Sequence, residues 1–238
     1  VCGRYAAAAQ QDELVEEFRI DAVVGPLPPA SYNIAPTDPV PAVWTRPRAD
    51  GAGFERQLTT LRWGLVPSWS RTGTGGARLI NARLETVAEK PSFRRALGVR
   101  RCLLPALGYY EWYPVADEGG APRKQPVFLR PEAGPLVMAG LYEFWRDPEG
   151  PADEWLRTCT IITTRATDSI GHVHERMPVR VPAGRWDTWL DPGVDGPAAL
   201  GLLGDHPGTD MVAFDVRPLV NRVGTNGPEL IEPLLHGE

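Results

Sequence analysis

RCLLPALGYYEWYP, residues Arg101 to Pro114, carries the reading of the fold. It is an apolar strand, then a turn at Gly108, then an aromatic-rich strand around Glu111. Outward from it the pattern repeats. PVFLRP (126–131), GPLVMAGLYEFW (134–145) and RTCTIITT (157–164) read as strands, the last two central to a sheet. Upstream, AVWTR (42–46) and RQLTTLRWGLVP (56–67) alternate as strands around the turn ADGAG (49–53). Helical spacing is confined to short pieces: DELVEEFR (12–19), NARLETVAEK (81–90) with Asn81 as N-cap, AGRWDTWLD (183–191) and GPAALGLLG (196–204). The connector at 25–41 holds six prolines and is predicted to run extended over the surface. The ending, 212–235, reads as a strand followed by a turn-rich tail. With no repeat and no linker, the expectation is one α+β domain over residues 1–238, with a mainly antiparallel, barrel-like sheet and peripheral short helices.

Composition bounds the function. With 42% hydrophobic and 23% charged residues, the chain reads as an ordinary soluble globular protein. No apolar run approaches the roughly 20 residues of a membrane span, and the N-terminus lacks a signal-peptide pattern, which places the protein in the cytoplasm. Three cysteines without CxxC spacing indicate neither a disulfide framework nor a zinc ribbon, and Cys102 and Cys159 read as inert core thiols. A net charge of −5 excludes histone-like bulk binding of nucleic acid but leaves room for a local basic groove. Lys90 and Lys124 are the only lysines, and Arg78, Arg83, Arg94, Arg95, Arg100 and Arg101 crowd the middle third.

The chemistry points to VCGRY at the N-terminus. Val1 reads as an initiator decoded from GUG and removed in the cell, leaving Cys2 with a thiol and an α-amine on adjacent carbons. Such an aminothiol condenses with an aldehyde to a Schiff base and closes a thiazolidine. Reference pKa values of about 8 and about 8.5 leave both nucleophiles partly available near neutral pH. The plain alternative is a cysteine on a frayed end. Glu111, between Tyr110 and Trp112, is expected to be buried with a raised pKa, suited to carrying a proton, unless it lies on a wet face. Arg83, in the first turn of the expected helix, sits at the wrong pole for a cation unless an anion binds there. Trp63 and Trp69 are either buried anchors or base-stacking platforms. RTGTGGAR (71–78) lacks phosphate-loop spacing. His172 and His174 could begin a metal site, but no third ligand completes it, and His174 as a single acid-base group is the more economical reading.

Taken in order, CGRY, YNIAPT, WGLVPSW, INARLET, RCLLPALGYYEW, HERMPV and NGPELIEPL resemble the SOS response-associated peptidase (SRAP) family of abasic-site processing proteins, from Cys2 to about Leu235. That resemblance implies a self-processing, peptidase-type hydrolase with abasic-site crosslinking and lyase chemistry. Its partner would be single-stranded DNA containing abasic sites. It implies no cofactor or metal, no membrane, a monomer, and association with the nucleoid during DNA damage. It assigns Cys2, Asn81, Glu111 and His174 to catalysis, and Arg4, Asn33, Pro36, Trp69, Arg83 and Arg176 to DNA binding. Ser70 and Gly224 depart from the family pattern and bear on DNA binding. The competing readings are an N-terminal-nucleophile amidohydrolase using Cys2 and a non-catalytic single-strand-binding module.

Overall fold

The computed structural model describes residues 2–116, 122–166, 173–203 and 210–234. In chain order, strand β1 (Tyr5–Ala7) leads into helix α1 (Gln11–Phe18), whose Glu13 carboxylate accepts the N–H of Gln10 at 2.8 Å and so caps its start. β2 (Ala22–Val24) and β3 (Ser31–Ile34) precede the long strands β4 (Pro39–Pro47) and β5 (Phe54–Trp63), followed by the short β6 (Asn81–Arg83) and helix α2 (Arg94–Val99). The decisive stretch forms β7 (Arg101–Ala106) and β8 (Gly108–Ala116). Strands β9 (Pro122–Pro131), β10 (Leu136–Trp145), β11 (Leu156–Arg165) and β12 (Arg176–Pro178) then precede α3 (Trp186–Leu190), α4 (Gly196–Gly201) and β13 (Met211–Asp215).

The expected antiparallel, barrel-like α+β architecture is present, built from two sheets. One runs β13-β9-β8-β1-β3, and the other β12-β11-β10-β7-β4-β5-β2 with β6 attached to β11. A parallel pairing of β5 with β11, Arg62 opposite Thr158 and Trp63 opposite Cys159, joins strands far apart in that order. The strands β11, β10, β7, β4 and β5 thereby form a closed ring. Alternation decides which core each side chain enters. Cys102, Leu104, Met138, Cys159 and Ile161 point toward the five-stranded sheet and pack with Tyr5, Tyr109 and Leu129, while Leu103, Val137, Leu141 and Ile162 point toward the helices. A third cluster, Ala6, Tyr110, Phe128, Val216, Val220 and Leu230, fixes the C-terminal tail to the back of the five-stranded sheet.

Two sequence expectations change. The segment predicted as helix over 81–90 begins instead as β6, in parallel register with Ile161–Thr163, and continues in turns. Asn81 is therefore not an N-cap, and Arg83 ends a strand. Trp63 is fully buried, edge-on to Tyr5 at 5.0 Å, with its indole N–H donated to the Ile80 carbonyl at 3.0 Å, so it cannot serve as a stacking platform. In the loop 71–78, Gly76 serves packing: a Cβ there would fall 2.3 Å from the Gly64 carbonyl oxygen, and this close approach holds the loop against the end of β5.

Candidate active site and nucleic-acid interface

Cys2 is tied down rather than frayed. Its side chain has no exposed surface and belongs to the core between the sheets. β1 reaches this position by pairing with β3 on one side and β8 on the other. Burial pushes the Cys2 thiol far above the ordinary range, and the nearby Glu111 charge pushes it further, while the backbone N–H of Arg4 draws it partly back. At rest the sulfur is a protonated thiol.

Asn81 meets Cys2 directly. Its Nδ2 donates to the Cys2 carbonyl at 2.9 Å, across 79 residues of sequence. The three-residue strand β6 sets this contact by holding Asn81 opposite Ile161. Glu111 arrives from β8. Tyr110 and Trp112 turn toward the tail cluster, whereas Tyr109 and Tyr113 face the core that contains Cys2. Strand alternation therefore sends Glu111 to the Cys2 side. Glu111 is 5% exposed, and its carboxyl is held above the usual value chiefly by burial, partly offset by His174. His174 is half-buried at the entry to β12, and its Nδ1 accepts the backbone N–H of Arg176 at 2.9 Å. That contact leaves Nε2 as the protonated nitrogen of the neutral ring.

The residues assigned to DNA occupy varied settings. Trp69 is 67% exposed in the loop after β5. Pro36 is half-buried beside β3 and Arg83 is exposed. Arg4 donates Nη1 to Asn33 Oδ1 at 2.6 Å and to the Val220 carbonyl at 3.0 Å, with its guanidinium 5.8 Å from the Trp112 ring centre. Asn33 is buried and donates Nδ2 to the carbonyls of Val220, Arg222 and Thr225 at 3.3, 3.1 and 2.9 Å. Arg176 is buried in a two-point ion pair with Glu85, at 2.8 and 3.0 Å, and also donates to the Thr163 carbonyl at 2.7 Å. The sequence offered no signal for Glu85 as its partner. Nor did it mark Arg101, which is buried and donates to five carbonyls around α2, α3 and α4. Of the two departures, Ser70 caps its own loop by donating Oγ to the Thr72 carbonyl at 2.8 Å, and Gly224 turns at φ +90°, a conformation that L side chains rarely adopt.

His172, one half of the two-histidine metal reading, lies outside the described residues, as does Val1, whose removal the aminothiol expectation requires. Among the described residues no group of three His, Cys, Asp or Glu side chains is placed to hold a metal ion, and no helix is long and apolar enough to cross a membrane.

A closed-ring α+β fold that buries Cys2 in its core, with the Asn81 amide on the Cys2 carbonyl and the Glu111 carboxyl on the Cys2 side of β8, defines a class of proteins built around that cysteine. Comparison gives the class its family. The family model described as SOS response associated peptidase (SRAP) matches residues 1–223, and the chain belongs to that family. The abasic site processing protein YoqW of Bacillus subtilis (strain 168) is 39% identical over 236 residues, spanning 98% of this chain and 99% of that protein. The abasic site processing protein HMCES of Gallus gallus is 31% identical over 231 residues, covering 86% of this chain and 66% of its own length. Among solved structures, a protein from Bacteroides thetaiotaomicron superposes with a TM-score of 0.79 at 26% identity, over 98% of this chain and 100% of its own. A phage-related protein from Bordetella bronchiseptica gives 0.66 at 31% identity, over 91% and 94% respectively.

Proposed function

We propose that this protein captures abasic sites in single-stranded DNA through Cys2 after residue 1 is removed. The observation that carries the reading is the gathering of Asn81, donating to the Cys2 carbonyl, and the buried Glu111, on the Cys2 side of β8, around the buried Cys2. A ring-opened abasic deoxyribose presents an aldehyde. The freed Cys2 amine adds to it, and loss of one water gives the Schiff base. The Cys2 sulfur then adds to the imine carbon while its proton passes to the nitrogen, closing the thiazolidine without net oxidation.

In this scheme Asn81 holds the Cys2 carbonyl and so orients the amine and thiol. Glu111, disposed by burial to keep its proton, supplies it for sugar ring opening and dehydration and takes one back in turn. His174, with its neutral proton on Nε2, serves the sugar hydroxyl and the closing or reversing ring. Removal of residue 1 is the self-processing step behind the peptidase name, and lyase cleavage of the strand would proceed from the same Schiff base. Trp69, Pro36, Arg83, Arg4, Asn33 and Arg176 line or support the DNA path. No cofactor takes part, and a monomer suffices.

The test is a denaturing gel of trimmed protein, verified by intact mass, with a single-stranded oligonucleotide bearing one abasic site. A heat-stable shifted band is expected, absent for Cys2→Ala and for protein carrying an N-terminal tag. No band from trimmed wild-type protein would reject the reading. Turnover of a small amide in its place would establish the amidohydrolase.

A further inference from the structure

Beyond the residues already assigned, the end of β11 opens into a cleft of about 450 Å³ lined by Arg83, Arg165, Ala166, Glu175 and Arg176. Register gathers the three arginines there. Arg83 on β6 follows the pairing that sets it opposite Thr163, and Arg165 on β11 is opposite Arg176 on β12. The three are not equivalent. Both Nη atoms of Arg176 are taken up by Glu85, with Nη2 also on the Thr163 carbonyl, and its side chain is 9% exposed. Glu85 cancels its charge. Arg83 and Arg165 are exposed, and among the described residues of the cleft's lining only Glu175, also exposed, opposes them. The positive field at Glu85 includes Arg165, which adds to the Arg176 hydrogen bond in holding that carboxyl below its usual value.

We propose that Arg165 pairs with Arg83 to bind one backbone phosphodiester of a single strand in this cleft, with Glu175 as the charge that limits its strength. Arg176 is then a positioning residue, whose pair with Glu85 fixes the cleft wall and whose backbone N–H holds His174. A guanidinium suits the role because its planar fork matches phosphate oxygens, and two of them from adjacent strands can grip one phosphate from two sides. This site rests on the single-stranded DNA reading above, and its test is kept apart from the crosslinking chemistry.

The probe is a labelled oligothymidylate without an abasic site, titrated from about 50 to about 300 mM salt. For Arg165→Gln the slope of log affinity against log salt should become shallower by about 0.7, the share of one single-stranded phosphate. Affinity at low salt should fall. Glu175→Gln should raise it, a gain that misfolding does not produce. An unchanged slope in Arg165→Gln, or a Glu175→Gln variant that binds more weakly than wild type, would overturn the proposal. Arg165→Lys, which keeps the charge, should restore most of the slope and separates loss of a contact from loss of fold. Should the slope respond while wild-type protein fails to crosslink an abasic strand, the phosphate site stands and the capture reading falls. Crosslinking with no slope response would keep the capture reading and remove the phosphate site.

Discussion

At the scale of single residues, Glu111 shows how a site is maintained against stability. Its carboxyl is held above the usual value by burial, so the folded protein keeps a proton that the unfolded chain, with an ordinary pKa of about 4.3, has already released. Stability therefore falls as pH rises from that value through the folded one, and the loss persists at neutral pH. Each tenfold change in proton affinity is worth about 1.4 kcal/mol. Glu111→Gln is consequently expected to melt higher than wild type at about pH 7 to 8, with the gap closing near pH 4. Thermal scans across that range check it, and a gap independent of pH would assign the effect to packing. The same variant should form the DNA adduct about 100- to 10,000-fold more slowly, the usual worth of a lost acid-base group. A fall in rate with a rise in melting temperature is a combination that simple structural damage cannot give.

At the scale of elements, the long strands were legible because apolar or alternating runs are bounded by turn signals, as in β7, a continuous apolar run stopped before Gly108. Which core each side chain enters, Cys102 and Leu104 one and Leu103 the other, was not legible. Glu111 was legible in part: its setting between Tyr110 and Trp112 predicted burial, but the face it takes was left open. The short elements were not. Asn81–Arg83 has local helical character, yet a parallel ladder with Ile161–Thr163 overrides it, and that partner lies some 80 residues away. Asn81 was assigned by resemblance to orient the N-terminal residue, while the strand that carries it and its donation to the Cys2 carbonyl were hidden. Arg101 was equally opaque: among the middle-third arginines nothing distinguished the one that enters the interior. Its guanidinium donates to the carbonyls of Leu97, Gly98, Trp189, Asp191 and Val194, closing the ends of α2 and α3 against β7. Lysine keeps the charge but offers three donors without the planar fork. Arg101→Lys should cost about 2–4 kcal/mol by leaving buried carbonyls unpaired, read as a lower urea midpoint. Asn33→Ala should behave similarly at the tail, lowering stability by about 1–3 kcal/mol and exposing the amides of 218–231 to hydrogen exchange. A loss of DNA affinity without either change would instead make Asn33 a direct contact.

At the scale of the whole molecule, a chain with a formal charge of −5 must bind a polyanion through a small part of its surface. Arg101 is buried in the helical layer, Arg176 is neutralised by Glu85, and Arg4 donates to Asn33 and a backbone carbonyl. Under the proposed capture, the exposed Arg83 and Arg165 of the cleft, together with the exposed Trp69, are the groups that would hold a strand while the aldehyde reaches Cys2. Stacking on an indole is worth about 1–3 kcal/mol per base and is insensitive to salt, whereas each phosphate held by arginine contributes about −0.7 to the salt slope of a single strand. Non-covalent binding of an unmodified oligonucleotide should therefore show a slope of only about −0.7 to −2. Trp69→Ala should lower the affinity about 5- to 150-fold and leave that slope unchanged. Titrations at several salt concentrations separate the two contributions. A slope steeper than about −3 would require a broad basic face, and the acidic balance of the chain would then have to be offset by arginines outside this cleft. Weak, shallow binding suits the proposed capture, in which retention on DNA would come from the covalent bond: the strand would be sampled and released until an aldehyde is met, and the thiazolidine would then hold it whatever the salt.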